Sequence, residues 1–110
     1  MQIGKLATLT GVSIRMLRYY ESAGLLHPVR TEAGYRSFTP VDVDIVRRIL
    51  ILNGAGFTLP VVRRLLNCIH SGTEPCEELK IKVKEQLTQI DLQFEALCES
   101  RSLLNKLLID

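Results

Sequence analysis

From Glu77 to Asp110 the chain contains neither glycine nor proline. Within that run the apolar residues Val83, Leu87, Ile90, Phe94, Leu97, Leu104 and Leu108 fall on alternating steps of four and three, and only Arg101 breaks the series. Such spacing predicts a heptad seam on one long helix over residues 74–110. A helix of that length spans about 50 Å at 1.5 Å per residue. A small domain covers only part of such a length, so the seam calls for a partner, most simply a second copy of the chain. The competing reading is a helix packed along its own domain.

The rest of the chain is punctuated by glycine and proline, and it carries charge of the other sign. Residues 1–66 hold nine basic and four acidic side chains, whereas residues 67–110 hold five basic and eight acidic. A basic first part suits a polyanionic partner, although two ordinary solvated surfaces give the same count. Ile3, Leu6 and Ala7 recur at helical spacing until "TGVS", where Gly11 fits a tight interhelical turn and Ser13 can cap the next helix. Helix, glycine-containing turn and second helix form a helix-turn-helix pattern, which many helical hairpins share.

The second helix, residues 13–23, sets cations beside phenols. Met16, Leu17 and Tyr20 make its apolar stripe, and Arg15, Arg18, Tyr19 and Ser22 lie on the other side, where they suit phosphates and base edges. Residues 27–38 read as a small hairpin with loop Thr31–Gly34 and with Arg30 and Arg36 on its arms. Helices follow over 40–53, with Ile45, Val46, Ile49, Leu50 and Leu52 inward, and over 58–70, with Val62, Leu65, Leu66 and Ile69 inward. Arg47, Arg48, Arg63 and Arg64 fit either solvated helix faces or the edge of a phosphate footprint. The domains expected are therefore 1–71 and 74–110, and the fold class is mainly α.

Several classes of function fit poorly. No run of about 18 apolar residues predicts a membrane span, and no secretory leader is legible at the N-terminus. Three widely spaced cysteines give no disulfide framework. The chain reads as cytoplasmic with reduced thiols. No Ser/His/Asp set, phosphate loop or carboxylate pair suggests an enzyme.

The stretch "IGKLATLTGVSIRMLRYYESAGLLHPVRTEAGYRSF" resembles the winged helix-turn-helix of the MerR family of bacterial transcription regulators. Its segments "LRYYE", "GLL.P.R" and "GYR" carry the likeness in order and spacing, and "GFTL" with the long terminal helix extends it over the whole chain. The resemblance implies that residues 13–23 are a recognition helix in the major groove of double-stranded promoter DNA. It also implies that Ser13 and Arg15 lie nearest the bases, that Arg18 and Tyr19 grip the backbone, and that Tyr35 and Arg36 on the wing grip flanking phosphates. Two protomers would pair their terminal helices antiparallel. An effector-bound dimer would distort an overlong promoter spacer, so that RNA polymerase is reached through DNA shape rather than contact. An excisionase-like architectural protein, with a similar winged fold and no effector, is the alternative.

The effector is the least specified part. The resemblance implies a metal-binding loop or ligand domain after the dimer helix, and residues up to Asp110 contain neither. Cys76 matches a position where divalent-metal members of the family carry cysteine. It is expected in the first turn of the long helix, where the helix dipole favours an anion. Stepping the heptad back from Val83 through Lys80 reaches it, so it should face the partner. Cys68 and His70 lie just upstream in "CIHSGTEPC" and can be drawn with Cys76 around a soft divalent ion such as Zn²⁺. Plain packing explains each cysteine as well, and Cys98, beside Leu97, better than any chemistry.

Overall fold

A computed structural model of the chain describes residues 1–109. They form five helices and one two-stranded hairpin: α1 (Ile3–Thr10), α2 (Ile14–Ser22), β1 (Val29–Arg30), β2 (Arg36–Ser37), α3 (Pro40–Gly54), α4 (Leu59–Ser71) and α5 (Glu77–Lys106). The chain divides into two compact units, Met1–Thr73 and Glu74–Asp110.

The first unit is built by local signals that agree with its packing. Gly11 ends α1 in the left-handed conformation, φ 74°, and its N–H donates to Ala7 O. Two residues later Ser13 caps α2, its hydroxyl accepting from the Met16 N–H at 3.1 Å. This three-residue link turns α2 across α1. At the entry to α3, the Thr39 N–H donates to Asp42 Oδ2 at 2.8 Å, and Pro40 occupies a first-turn position where no N–H is needed. Thr58 holds the N-cap position of α4 in an extended conformation without a side-chain capping bond, and Gly72 ends the helix with φ 68°.

These ends aim one face of each helix inward. Leu6 from α1, Leu17 and Tyr20 from α2, Val46 and Ile49 from α3, and Val62 and Leu66 from α4 meet in a single core with Leu25, Leu26 and Phe38. Most are fully buried, and each large aliphatic side chain contributes roughly 1.5–3 kcal/mol relative to exposure. The hairpin is tied in at its base: Met1 N donates to Phe38 O at 2.6 Å, and Phe38 N donates to Met1 O at 2.7 Å. Its register pairs Val29 with Ser37 and Arg30 with Arg36. Gly34, with φ 83°, closes the turn.

Three apolar residues expected inward are exposed instead. Met16, Leu50 and Ile69 are 44 %, 42 % and 52 % exposed. Each sits at the margin of its stripe, where the helix has already rotated away from the core.

The second unit is α5, 30 residues and about 45 Å long. Glu77 and Glu78 occupy its first turn, next to the positive end of the helix dipole. Lys80 donates to Glu74 at 3.0 Å and lies 3.7 Å from Glu77. That pairing holds the Glu74 carboxyl below its ordinary range and raises the Lys80 ammonium above its own. Leu79 is buried and Val83, Gln86 and Ile90 are half-buried, whereas every described residue after Ile90 is exposed.

Candidate nucleic-acid interface

The helix-turn-helix presents the outer face of α2 as a connected polar and aromatic surface. Because Leu17 and Tyr20 are the inward pair, their neighbours Arg15, Arg18 and Tyr19 must point out, and all three are exposed. Burial pushes the Tyr20 phenol up from its ordinary pKa, in keeping with a core residue. Ser13, Arg15, Met16 and Tyr19 line one shallow concavity on this face. The exposed Met16 is therefore part of the outer surface, and its thioether adds an apolar contact among the cations.

Concavities lie on both flanks of the helix. Toward the wing, a cleft of about 170 Å³ brings Arg18 together with Gln2, Ile3, Arg30, Gly34, Tyr35 and Arg36. Toward α4, a wider one of about 560 Å³ is lined by Tyr19, Ala23, Leu59, Pro60, Arg63, Arg64 and Asn67. Arg63 and Arg64 thus share a surface with α2, whereas Arg47 and Arg48 line neither cleft; Arg47 lies 3.9 Å from Asp44 on its own helix. The Arg63 guanidinium passes so near Gly24 that a Cβ there would stand 3.1 Å from it. Gly24, at φ 78°, is in any case a position that disfavours a side chain.

The wing differs from the expectation at Arg36. Its Nε donates to Glu21 Oε2, while Arg30 Nη2 donates to Glu21 Oε1 at 3.0 Å. Arg36 is therefore engaged with the end of α2 and is not simply an open phosphate cation, whereas Tyr35 is 66 % exposed at the turn. Glu21 and Arg30 were not legible as a pair in the sequence. The only hint is an acid in the last turn of a helix, where the dipole disfavours it.

The cysteine expectations change more. Cys76 is the N-cap of α5 rather than a first-turn residue, and it is exposed. Among the described residues no three His, Cys, Asp or Glu side chains are grouped so as to hold a metal ion. Cys68, His70 and Cys76 therefore do not form a Zn²⁺ site within one chain: nearness along a turn-rich segment does not make donors converge. Cys98 is exposed on α5. Along the expected seam, Val83 and Ile90 are half-buried, but Leu87, Phe94, Leu97 and Leu104 are 53 %, 67 %, 68 % and 62 % exposed.

Residues 1–68 match the family described as MerR HTH family regulatory protein, and residues 43–107 match the one described as MerR, DNA binding. The chain belongs to the MerR family. It is 31 % identical over 107 residues to the HTH-type transcriptional regulator HmrR of Rhizobium leguminosarum bv. viciae, spanning 97 % of this chain and 83 % of that protein. HiNmlR, a MerR family regulator lacking the sensor domain and solved bound to promoter DNA, superposes with a TM-score of 0.72 at 28 % identity, over 96 % of this chain and 81 % of that one. PbrR691 of Ralstonia metallidurans CH34, solved in complex with lead(II), gives 0.70 at 28 % identity, over 98 % and 82 %. The chain is accordingly a MerR-type DNA-binding regulator, and the protein is not an enzyme. Among the described residues no helix is long and apolar enough to cross a membrane.

Proposed function

We propose that this MerR-type regulator works as a homodimer on a palindromic promoter site and alters transcription by distorting the spacer between promoter elements. The observation that carries the dimer is the row Leu87, Phe94, Leu97 and Leu104, large apolar side chains left exposed at heptad spacing on one helix. A second copy, with α5 antiparallel, covers that row and holds two copies of α2 at a fixed separation. The same row favours a regulator over an excisionase-like architectural protein, because it serves to space two half-sites.

Each α2 then enters a major groove. Arg15, beside the Ser13 cap, reaches base edges, while Arg18 and Tyr19 hold the backbone and Tyr35 reaches a flanking phosphate from the wing. RNA polymerase is affected through the shape of the DNA. Arg18→Ala, measured by a salt titration of binding, should weaken all sequences alike and reduce the salt slope by about one unit. An unchanged slope and affinity would remove Arg18 from the backbone contacts.

The signal, in this reading, is a thiol-reactive compound or a divalent ion acting at Cys76. Its exposed position at the start of α5 supports that, as do the lead complex of PbrR691 and the name of a relative 30 % identical over 100 residues, a heavy metal-dependent transcription regulator of Rhizobium meliloti. The donor set for a metal is incomplete within one chain, so only the thiol is assigned. A promoter reporter carrying Cys76→Ser, challenged with metals and electrophiles, should lose its response; a response equal to the parent's would exclude Cys76.

A further inference from the structure

Glu21 stands out because it is an acid on a surface otherwise suited to phosphate. It lies in the last turn of α2, the end of a helix where a negative charge is disfavoured. Its carboxylate is shared between two arginines. Oε1 accepts from Arg30 Nη2 at 3.0 Å, and Oε2 accepts from Arg36 Nε. Those arginines are cross-strand partners, one from each arm of the hairpin. Arg30 Nη1 also reaches the carbonyl of Gly34 in the turn, at 3.5 Å. One carboxylate therefore grips both arms of the wing, and through Arg30 it is linked to the turn.

The wing needs such a hold. Each arm has only two paired residues, and a hairpin that short has little stability of its own. Val29 and Tyr35 are more than 60 % exposed, so the arms beyond Phe38 gain little from the core. Charge-assisted bonds to a single carboxylate are the strongest polar contacts between the hairpin and α2. They also fix where Tyr35 stands relative to Arg18 across the cleft that both line.

We infer that Glu21 is a positioning residue for DNA recognition: it clamps the wing to the recognition helix through Arg30 and Arg36, so that wing and helix meet the DNA as one preset surface. This rests on the DNA-binding reading above. Glu21 itself repels phosphate, so its worth lies wholly in geometry. Removing it takes away a negative charge and releases two cations. Simple electrostatics then predicts tighter binding to any DNA, whereas the clamp predicts weaker binding to the correct site.

The test uses the full chain and a palindromic duplex that the parent protein selects from a random library. Affinity for that duplex and for an unrelated one is followed across a salt titration, with hydroxyl-radical footprints and thermal denaturation. Glu21→Gln should lose roughly tenfold on the selected duplex, as expected for losing one charge-assisted contact of about 1.4 kcal/mol. It should bind the unrelated duplex at least as well, with a salt slope no shallower than the parent's, and lose protection only at the flanks. Glu21→Asp keeps the charge but is one methylene too short to reach both arginines, and should lose the same flanks. Tight binding by Glu21→Gln with protected flanks would overturn the inference. So would parental behaviour of Glu21→Asp, or an equal loss on both duplexes with a lowered melting temperature. A parent protein that selects no duplex would instead refute the DNA-binding reading, a different failure from any of these.

Discussion

The two units solve the burial problem in opposite ways. In Met1–Thr73, four short helices send Leu6, Leu17, Ile49 and Val62 into one closed core. In Glu74–Asp110 a single 30-residue helix leaves Phe94, Leu97 and Leu104 more than 60 % exposed. Both patterns come from apolar residues at helical spacing. The difference is that the first unit contains several such faces that cover each other, whereas the second contains one. A core that closes within the chain gives a self-contained reader; a face that does not close gives a means of joining two readers.

The largest expected effect comes from breaking the open face. Leu97→Asp sets a charge in the row, so sedimentation should find a monomer. Operator affinity should fall on the order of 100-fold or more, because the two half-sites are no longer engaged together. A variant that sediments as an intact dimer would remove Leu97 from the interface. Breaking the closed core should act differently. Leu17→Ala should cost about 2–5 kcal/mol of stability in chemical denaturation yet leave the dimer assembled below its melting temperature. Loss of dimer without loss of stability would reverse the assignment of roles to the two units.

Sequence reasoning reached much of this comparison, because many of the decisive features are local. The Ser13 cap, the left-handed Gly11, the inward Tyr20 and a hairpin with Arg30 and Arg36 on its arms all depend on residues a few positions apart, although the loop expected at Thr31–Gly34 is one residue longer, since Arg30 pairs with Arg36. Errors came where three-dimensional neighbours decide. Met16, Leu50 and Ile69 are apolar residues at the edges of their stripes, and periodicity alone does not say where a stripe ends. The helix was expected to start before Cys76 because Thr73 or Glu74 can cap a helix and Pro75 suits its first turn, whereas Cys76 is the N-cap. Cys68 and His70 were drawn toward Cys76 by sequence proximity alone. Glu21 was invisible as a link because its two partners arrive from later strands.

Smaller effects sharpen the reader's half. Arg15→Ala should relax preference by roughly 1–3 kcal/mol at one base position if the guanidinium reads a base edge. Binding measured against a panel of single-base variants would show it, and uniform weakening would make Arg15 a backbone contact instead. The smallest effect belongs to Tyr20. Its phenol is raised above the ordinary value of 10.0 by burial. Its contribution is thus fully present below that pH and is lost as pH rises through the folded-state value, because the unfolded chain ionises first. Tyr20→Phe should therefore flatten the loss of stability in alkaline denaturation above about pH 10; an unchanged alkaline profile would mean that another group drives it.

In the proposed dimer, α5 joins two copies of the α2 reader at one fixed separation. That joining is tested most directly by taking the palindrome that the parent protein selects and inserting five base pairs between its half-sites. Half a helical turn places the two major grooves on opposite faces of the duplex. The dimer's affinity should fall to that for a single half-site, with both half-sites no longer protected together. Affinity and a paired footprint that survive the insertion would contradict it.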